Sequence, residues 1–115
     1  MEDINSIIRG LEKKNRELTA LTDQYIDYAE KRAQSERNYN IAMAQKTLAY
    51  KIEGHPATLI STLVKGDKVV ADLKFELDVS DGMYKATRER MNDVRAAIDS
   101  YRSILAWKRA EFERG

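Results

Sequence analysis

"YKATRERMNDVRAAIDSYRSILAWKRAEF", residues 84–112, is the stretch whose reading decides the fold. Tyr84, Met91, Ile98, Leu105 and Phe112 stand seven apart, and Val94 and Tyr101 follow Met91 and Ile98 by three. Steps of seven and three keep side chains on one stripe of a helix of about 3.6 residues per turn, whereas a strand would alternate. A second line runs beside the first: Arg88, Arg95, Arg102 and Arg109, each four residues after a member of the apolar series. That is the flank of a helix–helix seam, where long stems cover the apolar stripe and charged heads reach for the facing helix.

Upstream, Leu77 joins the same series, and Asp67 is a helix N-cap whose carboxylate can accept from the first free amide groups. A helix over about 68–113 follows, weakened near its start by Val79, Ser80, Asp81 and Gly82, modest helix formers that leave room for a kink. The first half of the chain repeats the pattern. Leu11, Leu18, Tyr25, Arg32, Tyr39 and Lys46 fall seven apart, with Leu21, Tyr28, Ala42 and Ala49 three residues on, and Arg32 and Lys46 as polar interruptions. The stripe predicts one helix over about 4–52, some 73 Å long at 1.5 Å per residue, more than a small globule can enclose. The break is "EGHPAT", residues 53–58, where Gly54 can close a helix and Pro56 prevents its continuation. "TLISTLVK", residues 58–65, gives a short helix over about 57–65 with Leu59, Ile60, Leu63 and Val64 on one side.

Two long helices joined through a short one run antiparallel, since neither buries its stripe alone. The expected fold is therefore all-α: a long, coiled-coil-like antiparallel helical hairpin with a short connecting helix, one domain over residues 1–115. Its seam is Leu11, Leu18, Tyr25 and Tyr39 against Leu77, Tyr84, Met91, Ile98, Leu105 and Phe112. Ile41, Leu48, Ile52, Ile104 and Trp107 lie off that seam. Leaving them in water costs roughly 25 cal/mol per Å² of apolar area, so the hairpin is expected to form a homo-oligomer or to bind another protein.

Charge and composition narrow the function. Twenty basic residues against nineteen acidic ones leave the chain nearly neutral, unlike a protein that grips DNA over a broad surface. The imbalance that exists is local: residues 1–53 carry nine of each sign, residues 85–114 eight basic and five acidic, so an anion-binding role would sit in the last helix. The chain has no cysteine, which excludes thiolate chemistry and disulfides and fits a reducing interior. "MEDINSIIRG", residues 1–10, opens on acids, and no stretch reaches the ~20 apolar residues of a membrane span. A soluble intracellular protein with no membrane partner is expected.

Side chains that could do chemistry are sparse. His55 is the only histidine and has no cysteine, histidine or carboxylate cluster spaced to share a metal with it. Ser61 and Ser80 lack the companions of a nucleophilic serine. Asp72, Glu76, Asp78 and Asp81 are the densest carboxylates, at the spacing of a solvated helix face. The glycines of residues 53–68 lack phosphate-loop spacing. No cofactor, metal or enzymatic activity is expected.

The arginine line carries the functional question. With the turn near residue 60, residues whose numbers add to about 120 face one another, which sets Arg109 near Glu12, Arg102 near Glu17, Arg95 near Asp23 or Asp27, and Arg88 near Glu30 or Glu36. Internal pairing is then the first reading. A partner's acidic patch and a nucleic acid are the others; residues seven apart on a helix are about 10.5 Å apart, a poor match to successive phosphates. The candidate interaction surface is Arg88, Arg90, Arg95, Arg102, Trp107, Lys108 and Arg109.

The layout resembles small helical accessory proteins encoded in the early or recombination regions of tailed bacteriophages and prophages. The likeness lies in the long charged helix with Tyr25, Tyr28 and Tyr39, the G-H-P-A-T turn at 54–58 followed by T-L-I-S-T-L-V-K-G-D at 58–67, and the closing "YRSILAWKRAEF" at 101–112. It covers most of residues 20–113 and implies a non-enzymatic role in a bacterial host cytoplasm. The expected function is a helical interaction protein that self-associates and binds another macromolecule. The alternatives are a DNA-binding accessory factor in phage replication or recombination, and an inhibitor of a host nucleic-acid-processing enzyme.

Overall fold

The computed structural model describes residues 3–114. Three helices account for nearly all of them: α1 (Ile4–Ile52), α2 (Ala57–Gly66) and α3 (Lys68–Arg114). α1 and α3 pack against each other as a hairpin, the all-α arrangement the heptads predict.

Local chemistry sets the ends. Asp3 accepts the Ser6 amide at 2.7 Å, capping α1. At the far end Gly54 takes φ 86°, the Gly54 amide bonds the Lys51 carbonyl at 3.1 Å, and the His55 amide bonds that of Tyr50 at 3.2 Å. This paired closure needs a left-handed residue, which glycine adopts without strain. Asp67 caps α3 by accepting the Val70 amide at 3.1 Å. α3 runs through the modest helix formers Val79, Ser80, Asp81 and Gly82 as continuous helix. Packing along the seam outweighs the weak propensity of four residues.

The chain divides into two compact units. One joins α1 up to Ile26 with α3 from Ala86. Its core is Leu21, Met91, Val94 and Ile98, with Leu11, Leu18 and Tyr25 packed around them; Ile7 and Leu105 are also buried. Gly10 lets Tyr101 approach so closely that a Cβ at residue 10 would stand 2.7 Å from the ring. Phe112, expected in the seam, is 81% exposed. It lies in the last turn of α3, past Leu105, the last buried member of the series.

The second unit spans Asp27–Lys85. Ile60 and Val64 of α2 join Val70 of α3 in a buried cluster against Tyr39, Ala42 and Tyr50 of α1. Leu77 and Tyr84 are half-buried, as expected of seam members with polar neighbours. Ser35 and Ser80 are buried at inward positions that an apolar reading skips. The Ser80 hydroxyl donates to the Glu76 carbonyl at 2.8 Å, so in the 3.4 Å contact between the serines Ser35 is the donor.

Register differs from expectation. Arg32–Asp81, Ser35–Ser80 and Lys46–Asp67 have residue numbers adding to about 113–115, not about 120. The reason is α2. α1 continues past the residue opposite the start of α3, and α2 folds back along α1 against Tyr39, Ala42 and Tyr50 instead of serving as a symmetric turn.

Candidate protein-interaction surface

Each helix has two inward positions per seven residues, a and d, flanked by an e edge and a g edge. Reversing one helix of a pair brings like edges together, e beside e and g beside g. The grooves follow this rule. Asn15 and Leu18 of α1 line one groove of about 240 Å³ with Arg95, Ile98, Asp99 and Arg102 of α3. Lys14 and Glu17 line one of about 220 Å³ on the opposite side, with Arg90, Asp93 and Val94.

Arg88, Arg95, Arg102 and Arg109 all occupy the e edge of α3 and are exposed. The facing e edge of α1 holds Ile8, Asn15 and Thr22, none of them charged. Among the described residues, no ion pair joins Arg95, Arg102 or Arg109 to an acid; Arg95 Nη1 instead donates to Asn92 Oδ1 at 3.4 Å. Internal pairing of these three arginines with Glu12, Glu17, Asp23 or Asp27 is therefore corrected. Those acids lie on other edges of α1, and the register is shifted besides. Glu17 pairs with Lys14 at 3.1 Å, on its own helix.

The rest of the expected surface is divided. Arg90 lies in the g-edge groove, away from the arginine line. Trp107 is 64% exposed, with Ala110, Glu111 and Arg114 lining a shallow hollow beside it, and Lys108 is partly buried. Arg95, Arg102 and Arg109 thus share an edge, Trp107 stands on the outer face, and Arg90 belongs elsewhere.

Extending the arginine line backwards in sevens reaches Asp81, Lys74 and Asp67, which sequence reading did not connect with it. These three do pair. Arg32 Nε donates to Asp81 Oδ1 at 2.6 Å, Lys85 lies 2.8 Å from the same carboxylate, and Lys46 lies 3.4 Å from Asp67. Hydrogen bonds from Lys85 and then Arg32 hold the Asp81 carboxyl below its usual range. The Val70 amide, and after it Lys46, does the same for Asp67. The hydrogen bond to Asp81 raises Arg32, whose guanidinium also sits 5.6 Å from the centre of the Tyr84 ring. Lys74 is raised by Asp78, 3.0 Å away, and lies 5.6 Å from the Tyr39 ring.

The remaining chemistry is local. Of the four clustered acids, Asp72, Asp78 and Asp81 are ion-paired, the first to Lys68 at 3.7 Å. His55 Nε2 lies 3.1 Å from Glu53 Oε2, its ring edge-on to Tyr50. Among the described residues no group of three or more His, Cys, Asp or Glu side chains could hold a metal ion, and no helix is long and apolar enough to cross a membrane. No family model, curated protein or solved structure matches the chain.

Proposed function

We propose that this chain is a non-enzymatic helical interaction protein that self-associates and presents the arginine edge of α3 to an acidic partner protein. The observation that carries the reading is the lack of any acid partner, among the described residues, for Arg95, Arg102 and Arg109, on an edge whose facing side chains are uncharged. Their step of about 10.5 Å along the helix is commensurate with a second helix carrying acids in the same heptad position, and not with a phosphate backbone. The half-buried Leu18 lines the groove beside them and gives such a helix an apolar foothold. The phage or prophage setting and the cytoplasm of a bacterial host, which the layout suggests, belong to the same proposal.

Affinity capture from a bacterial lysate, run in parallel with the wild type and with Arg95→Glu/Arg102→Glu, tests it. A protein retained by the wild type and lost with the variant is expected. Identical capture by both would refute the assignment of this edge. The same arginines motivate a nucleic-acid reading, so retention of duplex and single-stranded DNA at low salt is measured alongside. Salt-sensitive retention that the variant abolishes would transfer the edge from a protein to a polyanion.

A further inference from the structure

The second unit has two unequal sides. On the e side of the α1–α3 seam lies α2: Ile60 and Val64 pack toward Tyr39, Ala42 and Tyr50, and Met43 and Thr47 line the groove beside them. On the g side no described element corresponds to α2. There α1 presents Ile41, Leu48 and Ile52, and α3 presents Val79 and Met83 with Phe75 next to them. Ile52 is 77% exposed and Phe75 70%. These six side chains, spread along this side, leave on the order of 600 Å² of apolar surface in water, against the roughly 800 Å² per partner that a stable interface buries.

We propose that this side of the second unit is a two-fold interface with a second copy of the chain, centred on the Phe75–Val79 ridge of α3. The inference rests on the self-association half of the proposed function and gives it a location. Charge identifies the occupant. Lys31, Phe75, Glu76 and Val79 line a single groove on this side, with Asp72 one turn before Glu76 on α3. Lys31 is exposed and, among the described residues, makes no ion pair; Asp72 has only a long 3.7 Å contact with Lys68. By the pairing of the helices Lys31 is level with α3 near residue 83, and Asp72 lies about as far to the other side of Leu77. A two-fold axis through the ridge therefore sets Lys31 of each copy against Asp72 of the other, while Phe75 meets Val79. An unrelated acidic or basic partner would satisfy one sign and strand the other. A two-fold contact is also closed, so it ends at a dimer instead of propagating.

Sedimentation equilibrium is the test. The wild type is expected at twice 13.2 kDa, and Phe75→Glu/Val79→Glu at 13.2 kDa with unchanged helical circular dichroism, because both side chains are exposed in the single chain. Lys31→Glu and Asp72→Lys should each weaken the dimer severalfold, and their combination should restore it. The chain has no cysteine, which makes site-specific crosslinking clean. Val79→Cys should link two copies through a short bis-maleimide, and Ala33→Cys, on the e side, should not. A dimer that persists in Phe75→Glu/Val79→Glu, or that crosslinks only through Ala33→Cys, overturns the interface while self-association stands. A wild type that stays at 13.2 kDa at high micromolar concentration overturns both.

Discussion

Adding a methyl group to Gly10 and to Gly82 should move stability in opposite directions, although both glycines sit inside long helices. In a helix interior alanine is favoured over glycine by about 1 kcal/mol, because glycine loses more backbone freedom on folding. At Gly82 no heavy atom lies within 4 Å of the new Cβ, so Gly82→Ala should gain about that 1 kcal/mol. At Gly10 the new carbon would stand 2.7 Å from Tyr101 Cε1 and Cζ and 2.8 Å from its hydroxyl oxygen, well inside van der Waals contact. The half-buried ring must swing aside, and overpacking of this kind costs about 1–3 kcal/mol, which cancels or exceeds the helical gain. Gly10→Ala is thus expected to be neutral to about 2 kcal/mol destabilising. Urea midpoints at constant slope and matched protein concentration would measure both. Replacing the ring supplies the control: in a Tyr101→Leu background Gly10→Ala should stabilise by about 1 kcal/mol, a coupling of about 1–3 kcal/mol between the two sites. Equal stabilisation by both glycine replacements, with no coupling to Tyr101, would refute the close approach.

Ile98→Ala, in the buried cluster, should cost about 2–4 kcal/mol by urea denaturation, and Phe112→Ala less than about 0.5 kcal/mol, since only the first empties a filled space. The depressed Asp67 and Asp81 carboxyls contribute stability that is complete above the ordinary carboxylate value of about 3.9 and is lost as pH falls through their lower folded values, because the unfolded chain takes up protons first. Urea midpoints should therefore drop steeply below about pH 4, and Asp67→Asn/Asp81→Asn should lower the neutral midpoint and flatten that acid limb. Arg32→Gln should lower the urea midpoint by leaving Asp81 with Lys85 alone, whereas Arg95→Gln/Arg102→Gln should leave it unchanged.

The helices and their ends were legible because they depend on local rules. Sevens and threes mark the stripes, Gly54 and Pro56 mark the break, and Asp67 marks the restart. Register was not legible, because it depends on where α2 rests, and a short apolar helix between two long ones reads equally well as a turn or as a third packed element. The inward serines were missed for a different reason. Ser35 and Ser80 occupy heptad positions an apolar search passes over, and the hydrogen bonds between them and from Ser80 to the Glu76 carbonyl satisfy them in burial. The uncovered apolar side was half visible: Ile41, Leu48 and Ile52 stood off the seam by their spacing, but Val79 lay among the modest helix formers of α3, and Phe75 and Met83 fell outside both heptad series.

The e edge of α3 is one line of seven charged residues at a constant step, Asp67, Lys74, Asp81, Arg88, Arg95, Arg102 and Arg109, and its chemistry changes along the way. Asp67 and Asp81 meet Lys46 and Arg32, cations that interrupt the inward stripe of α1, and such pairs hold the register by penalising a slip of even one turn. From Arg95 onward the α1 stripe carries no acid and its e edge only uncharged side chains, so the arginines contribute nothing of that kind to the hairpin. A seam built only for stability would continue the pattern of alternating signs. Three cations at one spacing, without an acid paired to them among the described residues, are instead what a helix of opposite charge would need to find, and reversing the charge at Arg95 and Arg102 should abolish that binding without loosening the fold.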